Sequence, residues 1–162
     1  MAVADLRGRR VVITGGTGAL GSAVVEAFEA AGAVCEVTMR GDGPVARERV
    51  KFHVVELTDE QAVARLYESI PDLWASVHLA GAFAAGSVEN TSADDVREMF
   101  ETNAMSCFLC CREAVKAIRR ASGSGEGGRI VNVASKPAVV PTGGMIAYTT
   151  ANYLQAAHIA AT

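Results

Sequence analysis

A doubly wound α/β fold, with helices on both faces of a parallel sheet, is what this chain predicts. Three observations carry it. Short β-branched apolar runs alternate with helical stretches along the whole sequence. The strand runs are near-continuously apolar, as strands covered on both faces are. The first of them leads directly into a glycine-rich turn that opens a helix. Right-handed crossovers then place any ligand beyond the carboxyl ends of the strands.

Each element has its own signal. Arg9 to Thr14 reads as the first strand, Gly15 to Gly21 as a turn, and Ser22 to Ala31 as a helix ended by Gly32. Val34 to Met39 is the second strand, broken by Gly41-Asp42-Gly43-Pro44. Val50 to Leu57 is the third. Thr58-Asp59-Glu60-Gln61 supplies a cap and first-turn acid for a helix reaching about Ile70, before Pro71. Trp74 to Leu79 is the fourth strand and runs into Ala80-Gly81. Ser92, Asp94 and Asp95 open a helical region that continues through Met99, Asn103, Phe108 and Val115 to about Arg120. Ser122 to Gly128 is a surface loop, Ile130 to Ala134 the fifth strand, and helix resumes at Ala147.

At 162 residues and 50% hydrophobic, the chain suits one core, and a single domain over 1–162 is expected. A net charge of -3 gives no long-range pull toward nucleic acid or an anionic membrane. The one short basic run, Arg7, Arg9 and Arg10, reads as a solvated edge. No stretch approaches the ~18 apolar residues of a membrane span. Met1 to Arg10 has no apolar core before its charges, so no secretory signal is expected. Cys35, Cys107, Cys110 and Cys111 lack the spacing of a disulfide framework, which points to a reduced, cytoplasmic setting. The last three sit among residues of helical periodicity and read as core packing. A zinc site would need distant Cys or His partners, and Cys35 on a buried strand is a poor one, so no metal is expected.

Three segments together carry a resemblance: Thr14-Gly15-Gly16-Thr17-Gly18-Ala19-Leu20-Gly21, Arg129-Ile130-Val131-Asn132-Val133-Ala134-Ser135, and Tyr148 thirteen residues after that serine. The chain resembles the short-chain dehydrogenase/reductase family, whose Rossmann-like fold would show five strands here. In Gly16-x-Gly18-x-x-Gly21, glycines permit close backbone approach while the helix N-terminus offers free amides to a pyrophosphate. The resemblance assigns cofactor binding to Gly15, Thr17, Gly18, Leu20 and Gly21. Ala19 stands where the family's turn usually has a glycine. The position that carries an acid in NAD-preferring relatives is Met39, followed by Arg40, a guanidinium suited to a 2′-phosphate. NADP is therefore favoured over NAD. Glu56-Leu57 resembles the family's segment at the adenine ring. His78-Leu79-Ala80-Gly81 resembles its Asn-Asn-Ala-Gly, with Ala80 and Gly81 along the cofactor and His78 as a hydrogen-bonded structural side chain.

The resemblance also implies chemistry, a hydride exchanged between nicotinamide and a carbonyl or alcohol carbon. Tyr148 would exchange the proton, Ser135 would hold the substrate oxygen, and Asn103 would position a water. The family's Tyr-x-x-x-Lys reads Tyr148-x-x-x-Asn152 here. A free tyrosine titrates near pH ~10, and a lysine ammonium ~4 Å away favours its phenolate by up to about 4 kcal/mol at an effective dielectric of ~20. Asn152 carries no charge, so alcohol oxidation should suffer most and carbonyl reduction less. Lys136 follows Ser135 but is not expected to reach Tyr148. The family's last two strands and helical substrate lid have no counterpart before Thr162, so the domain is expected to be incomplete at its C-terminus. Two readings stay open: an NADP-dependent oxidoreductase, or a catalytically impaired dinucleotide-binding or interaction protein. A homo-oligomer, dimer or tetramer, is implied by the resemblance alone.

Overall fold

In a computed structural model, described for residues 5–41, 43–44, 46–122, 127–140 and 143–159, five strands form one parallel sheet. They are β1 Arg10–Thr14, β2 Val34–Met39, β3 Val50–Val54, β4 Leu73–His78 and β5 Arg129–Asn132. Their spatial order is β3-β2-β1-β4-β5. The chain thus builds outward from β1 in one direction, then returns to build in the other. That reversal opens a crevice at the carboxyl ends of β1 and β4, where open α/β sheets take their ligands.

Helices fill both faces. α1 Ala19–Ala30 lies on one side, with Val25 against Val11, Ile13, Cys35, Val37 and Val77. α2 Glu60–Ser69 and the long α4 Ser106–Ser122 cover the other, packing Leu66, Tyr67, Leu109, Ala114 and Ile118 on Val12 and Leu73. Val11, Val12 and Ile13 are fully buried in succession, the reason β1 reads as an unbroken apolar run. α3 Ala93–Met99 and α5 Ile146–Ile159 meet through Met99, Ala147 and Ala151. No helix among the described residues is long and apolar enough to cross a membrane.

Local signals hold closely at the caps. Asp59 accepts from the amides of Gln61 and Ala62 at 2.9 and 3.1 Å, and Ser92 forms a capping box with Asp95. Differences are confined to element ends and one interior. α1 begins at Ala19 rather than Ser22, because Gly18 serves as its N-cap. β3 stops at Val54, because β2, its pairing partner, ends at Met39 opposite it. β5 runs Arg129–Asn132 rather than 130–134, paired to β4 from Ala75 to His78. The expected continuous helix from Ser92 to Arg120 is interrupted by a π-helical segment, Phe100–Met105. Asp42 and residues 123–126 of the expected breaker and loop lie outside the described residues.

The basic run at the start is not a uniformly solvated edge. Arg10 pairs with Glu36 of β2, which also receives His53 Nε2 of β3 at 2.7 Å, so one buried carboxylate ties three strands together. Burial pushes the Glu36 carboxyl up, but hydrogen bonds from His53 and Arg10 more than offset it, leaving it below the ordinary value. A carboxyl lowered by folding stabilises above its unfolded pKa, and that stability is lost as pH falls through the folded one. Urea denaturation should therefore show stability dropping below about pH 4. Glu36→Gln should be less stable at neutral pH by about 1–3 kcal/mol and decline less steeply in acid. A variant as stable and as acid-sensitive as the parent would refute that role for Glu36.

Candidate functional site

The crevice between β1 and β4 holds a cleft of about 530 Å³. Its floor is fixed by two threonines. Thr14 Oγ1 accepts from the amides of Leu79 and Ala80 at 3.1 and 3.2 Å, and Thr38 Oγ1 accepts from the amide of Gly15 at 3.3 Å. Gly15 sits at φ +66°, and a Cβ there would stand 2.9 Å from both the Cα and N of Ala80. A Cβ on Gly21 would stand 2.2 Å from the Gly15 carbonyl oxygen. The turn therefore packs backbone on backbone, with no side chain interposed. Gly18, the N-cap of α1, supplies no side-chain cap, so the helix's first-turn amides keep their donor capacity for a ligand.

Of the cofactor positions expected from sequence, Gly15, Thr17, Gly18, Arg40, Glu56, Leu57, Ala80 and Gly81 line this cleft. Leu20 and Gly21 do not; Leu20 is exposed, and Gly21 is buried inside the helix where it lets the turn close. Glu56 turns its carboxylate onto Thr58, accepting from the amide and hydroxyl at 3.2 and 2.9 Å. Sequence reasoning missed Thr14 and Thr38, although a threonine ending a buried strand beside a glycine turn is a readable signal. It also missed Glu98, Glu101 and Thr102 on the opposite wall.

A second cavity of about 320 Å³ shares Leu79, Ala80 and Gly81 with the first. Ser135, Tyr148, Asn103 and Asn152 all line it. Asn103 comes from the π-helical segment, buried, and both ends of its amide engage one residue: Oδ1 accepts from the Ala82 amide at 2.8 Å and Nδ2 donates to the Ala82 carbonyl at 3.1 Å. Gly81 is glycine for the same reason, since a Cβ would stand 2.5 Å from Asn103 Oδ1. The Tyr148 ring meets Phe83 edge-on, centroids 5.0 Å apart. Asn152 is buried, and its Nδ2 donates back to the Tyr148 carbonyl at 3.0 Å. Among the described residues, no cationic side chain lines this cavity, and Lys136 is exposed outside its lining.

His78 is hydrogen-bonded, with Nε2 2.8 Å from Ser76 Oγ and Nδ1 2.6 Å from Asn132 Oδ1. Cys110 packs in the core beside Tyr67. Cys107 and Cys111 depart from simple core packing, because α4 brings both to His78, the distant partner that sequence reasoning did not supply.

Residues 9–153 match the sequence pattern of the short chain dehydrogenase family. The chain is 40% identical over 85 residues to the uncharacterized oxidoreductase YgfF of Escherichia coli, covering 49% of this chain and 34% of that one. It is 33% identical over 150 residues to the 2,3-dihydro-2,3-dihydroxybenzoate dehydrogenase of the same organism, covering 89% of this chain and 58% of that one. It therefore spans less than two thirds of the length of either relative. Among solved structures, a short chain dehydrogenase from Burkholderia cenocepacia in complex with NADP superposes with a TM-score of 0.87 at 21% identity, covering 97% of this chain and 66% of that one, a likeness of fold.

Asn103→Ala strips two hydrogen bonds from the Ala82 peptide and empties a buried position. Urea denaturation should show a loss of about 2 kcal/mol. A loss below about 0.5 kcal/mol, the scale of a surface substitution, would show that the amide does not anchor this loop.

Proposed function

The chain belongs to the short-chain dehydrogenase family, and on that premise we propose that it is an NADP-dependent oxidoreductase acting on a small carbonyl or alcohol. The family binds a nicotinamide cofactor. The observation that carries the reading is the convergence of Ser135, Tyr148 and Asn103 on a cavity that shares Leu79, Ala80 and Gly81 with the glycine-turn cleft. That cleft suits a dinucleotide: its turn leaves no room for a Cβ, and the α1 amides at its mouth suit a pyrophosphate. Arg40 at the end of β2, with Met39 in place of an acid, supports NADP over NAD.

The cofactor, when bound, supplies or accepts the hydride. The chain's own residues handle the oxygen and the proton. Ser135 Oγ holds the substrate oxygen, and Tyr148 Oη gives up its proton to that oxygen in reduction or takes it in oxidation. Asn103 positions the loop at Ala82 that forms one wall. Asn152, whose Nδ2 is given to the Tyr148 carbonyl, would have its Oδ1 to accept from the cofactor's ribose, and it adds no charge beside Tyr148. The direction favoured is therefore carbonyl reduction. In this reading residues 1–162 belong to one dinucleotide-binding domain of a cytoplasmic homo-oligomer.

A second reading, a dinucleotide-binding or interaction protein with impaired catalysis, is favoured by one observation. The Asn152 amide is engaged with its own helix, and no cation lines the cavity in the described residues. Asn152→Lys separates the two. NADPH consumption across a panel of carbonyl substrates should rise about tenfold or more, one pKa unit at Tyr148 corresponding to about tenfold, and Tyr148→Phe in the same background should remove the gain. No turnover in parent or variant, with cofactor still bound, would select the second reading.

A further inference from the structure

Three buried groups from two elements converge beside the carboxyl end of β4. His78 closes that strand, and Cys107 and Cys111 stand one helical turn apart on α4, exposed by only 2%, 3% and 1%. One ligand atom from each lies within 4.8 Å of the others, and Cys111 Sγ is 3.4 Å from His78 Nδ1. Tetrahedral zinc, with Zn–S ~2.3 Å and Zn–N ~2.0 Å, places its sulfur and nitrogen ligands ~3.5 Å apart.

A single amide faces all three groups. Asn132 Oδ1 lies 2.6 Å from His78 Nδ1, 3.3 Å from Cys111 Sγ and 3.5 Å from Cys107 Sγ. Two thiols that donate and one imidazole nitrogen thus surround the two lone pairs of one amide oxygen. Removing both thiol protons and setting one cation among the sulfurs and Nδ1 leaves that oxygen without a donor, so the Asn132 amide turns over and its Nδ2 donates to a thiolate instead. His78 Nε2–H then donates to Ser76 Oγ at 2.8 Å, itself 2.8 Å from the Tyr67 hydroxyl. Imidazoles that bind metal through one nitrogen are held through the other in this way. Asn132 stands beside the ligand set as a hydrogen-bonding neighbour rather than within it.

We propose that His78, Cys107 and Cys111 form a binding site for a thiophilic divalent cation, with Zn2+ as its first probe. Two thiolates and an imidazole are a soft to borderline set, suited to zinc and poorly suited to calcium or magnesium. Binding replaces two thiol protons, which leave to solvent, and neither the ion nor the sulfurs change oxidation state. Cys111 Sγ already meets both His78 Nδ1 and Asn132 Oδ1, at 3.4 and 3.3 Å. Cys110 is different: burial pushes its thiol up to about 12, beside Tyr67, and it takes no part. The ion would pin α4 to β4 next to Asn132, three residues before Ser135, where β5 has a sheet partner on one side only. The site is independent of the proposed oxidoreductase activity.

The test uses the full chain, reduced with a phosphine, and metal is added both to the folded protein and during refolding from guanidinium. One Zn2+ per chain should be retained through desalting, counted by release to a chelating dye. Co2+ should give a near-ultraviolet thiolate charge-transfer band that Zn2+ displaces. Cys107→Ser and Cys111→Ser should each lose the band, and Cys110→Ser should keep it, with far-ultraviolet circular dichroism confirming the fold. Failure of the reduced parent chain to retain stoichiometric zinc by either route would overturn the proposal, as would a cobalt band that survives in the Cys107→Ser/Cys111→Ser double variant. Either result would leave a metal-free cluster held by the hydrogen bonds of its thiols to Asn132 Oδ1. If the serine variants do not fold, retention and the cobalt band of the parent decide.

Discussion

Backbone packed directly against backbone at the carboxyl ends of β1 and β4 is the constraint on which the site depends. Gly15 lies so close to Ala80 that no Cβ fits between them, and Thr14 Oγ1 fastens the Leu79 and Ala80 amides to the end of β1. One consequence is a cleft whose base is backbone, open to a ligand that needs amide donors and no bulk. The other is that residues 79–81 form a shared wall, so the two cavities meet along three residues. Loosening this contact would disturb both at once.

Much of this was legible because its physics is local or periodic. Buried strands covered on both faces read as apolar runs, and Asp59 and Ser92 cap their helices as their side chains dictate. Glycines at fixed offsets marked the turn, and the resemblance to the short-chain dehydrogenase/reductase pattern pointed to Ser135 and Tyr148, which line one cavity. What stayed hidden depended on tertiary contact. The π-helical segment that buries Asn103 shifts helical phase by a fraction of a turn, too little to disturb an apolar pattern read over a dozen residues. Arg10 read as a solvated charge because its partner Glu36 lies a strand away. The approach of His78 to Cys107 and Cys111 required knowing that α4 crosses β4, which no spacing along the chain encodes.

The cavity around Tyr148 and the cluster around His78 show how charge is distributed near the sheet's carboxyl edge. In the first, a neutral amide stands where relatives of this kind have an ammonium, and it satisfies itself on the Tyr148 carbonyl. In the second, two thiols and an imidazole nitrogen crowd a single, partly buried amide oxygen. β5 connects the two, since Asn132 ends that strand and Ser135 follows it three residues later.

The reading of the cleft as a dinucleotide cradle is tested most directly by following backbone amide resonances of the isotope-labelled chain during titration with NADPH and with NADH. Saturable shifts should concentrate on residues 15–21, 38–40, 56–58 and 79–81, with NADPH binding more tightly. No saturable shift with either nucleotide, or shifts centred away from the glycine turn, would contradict it.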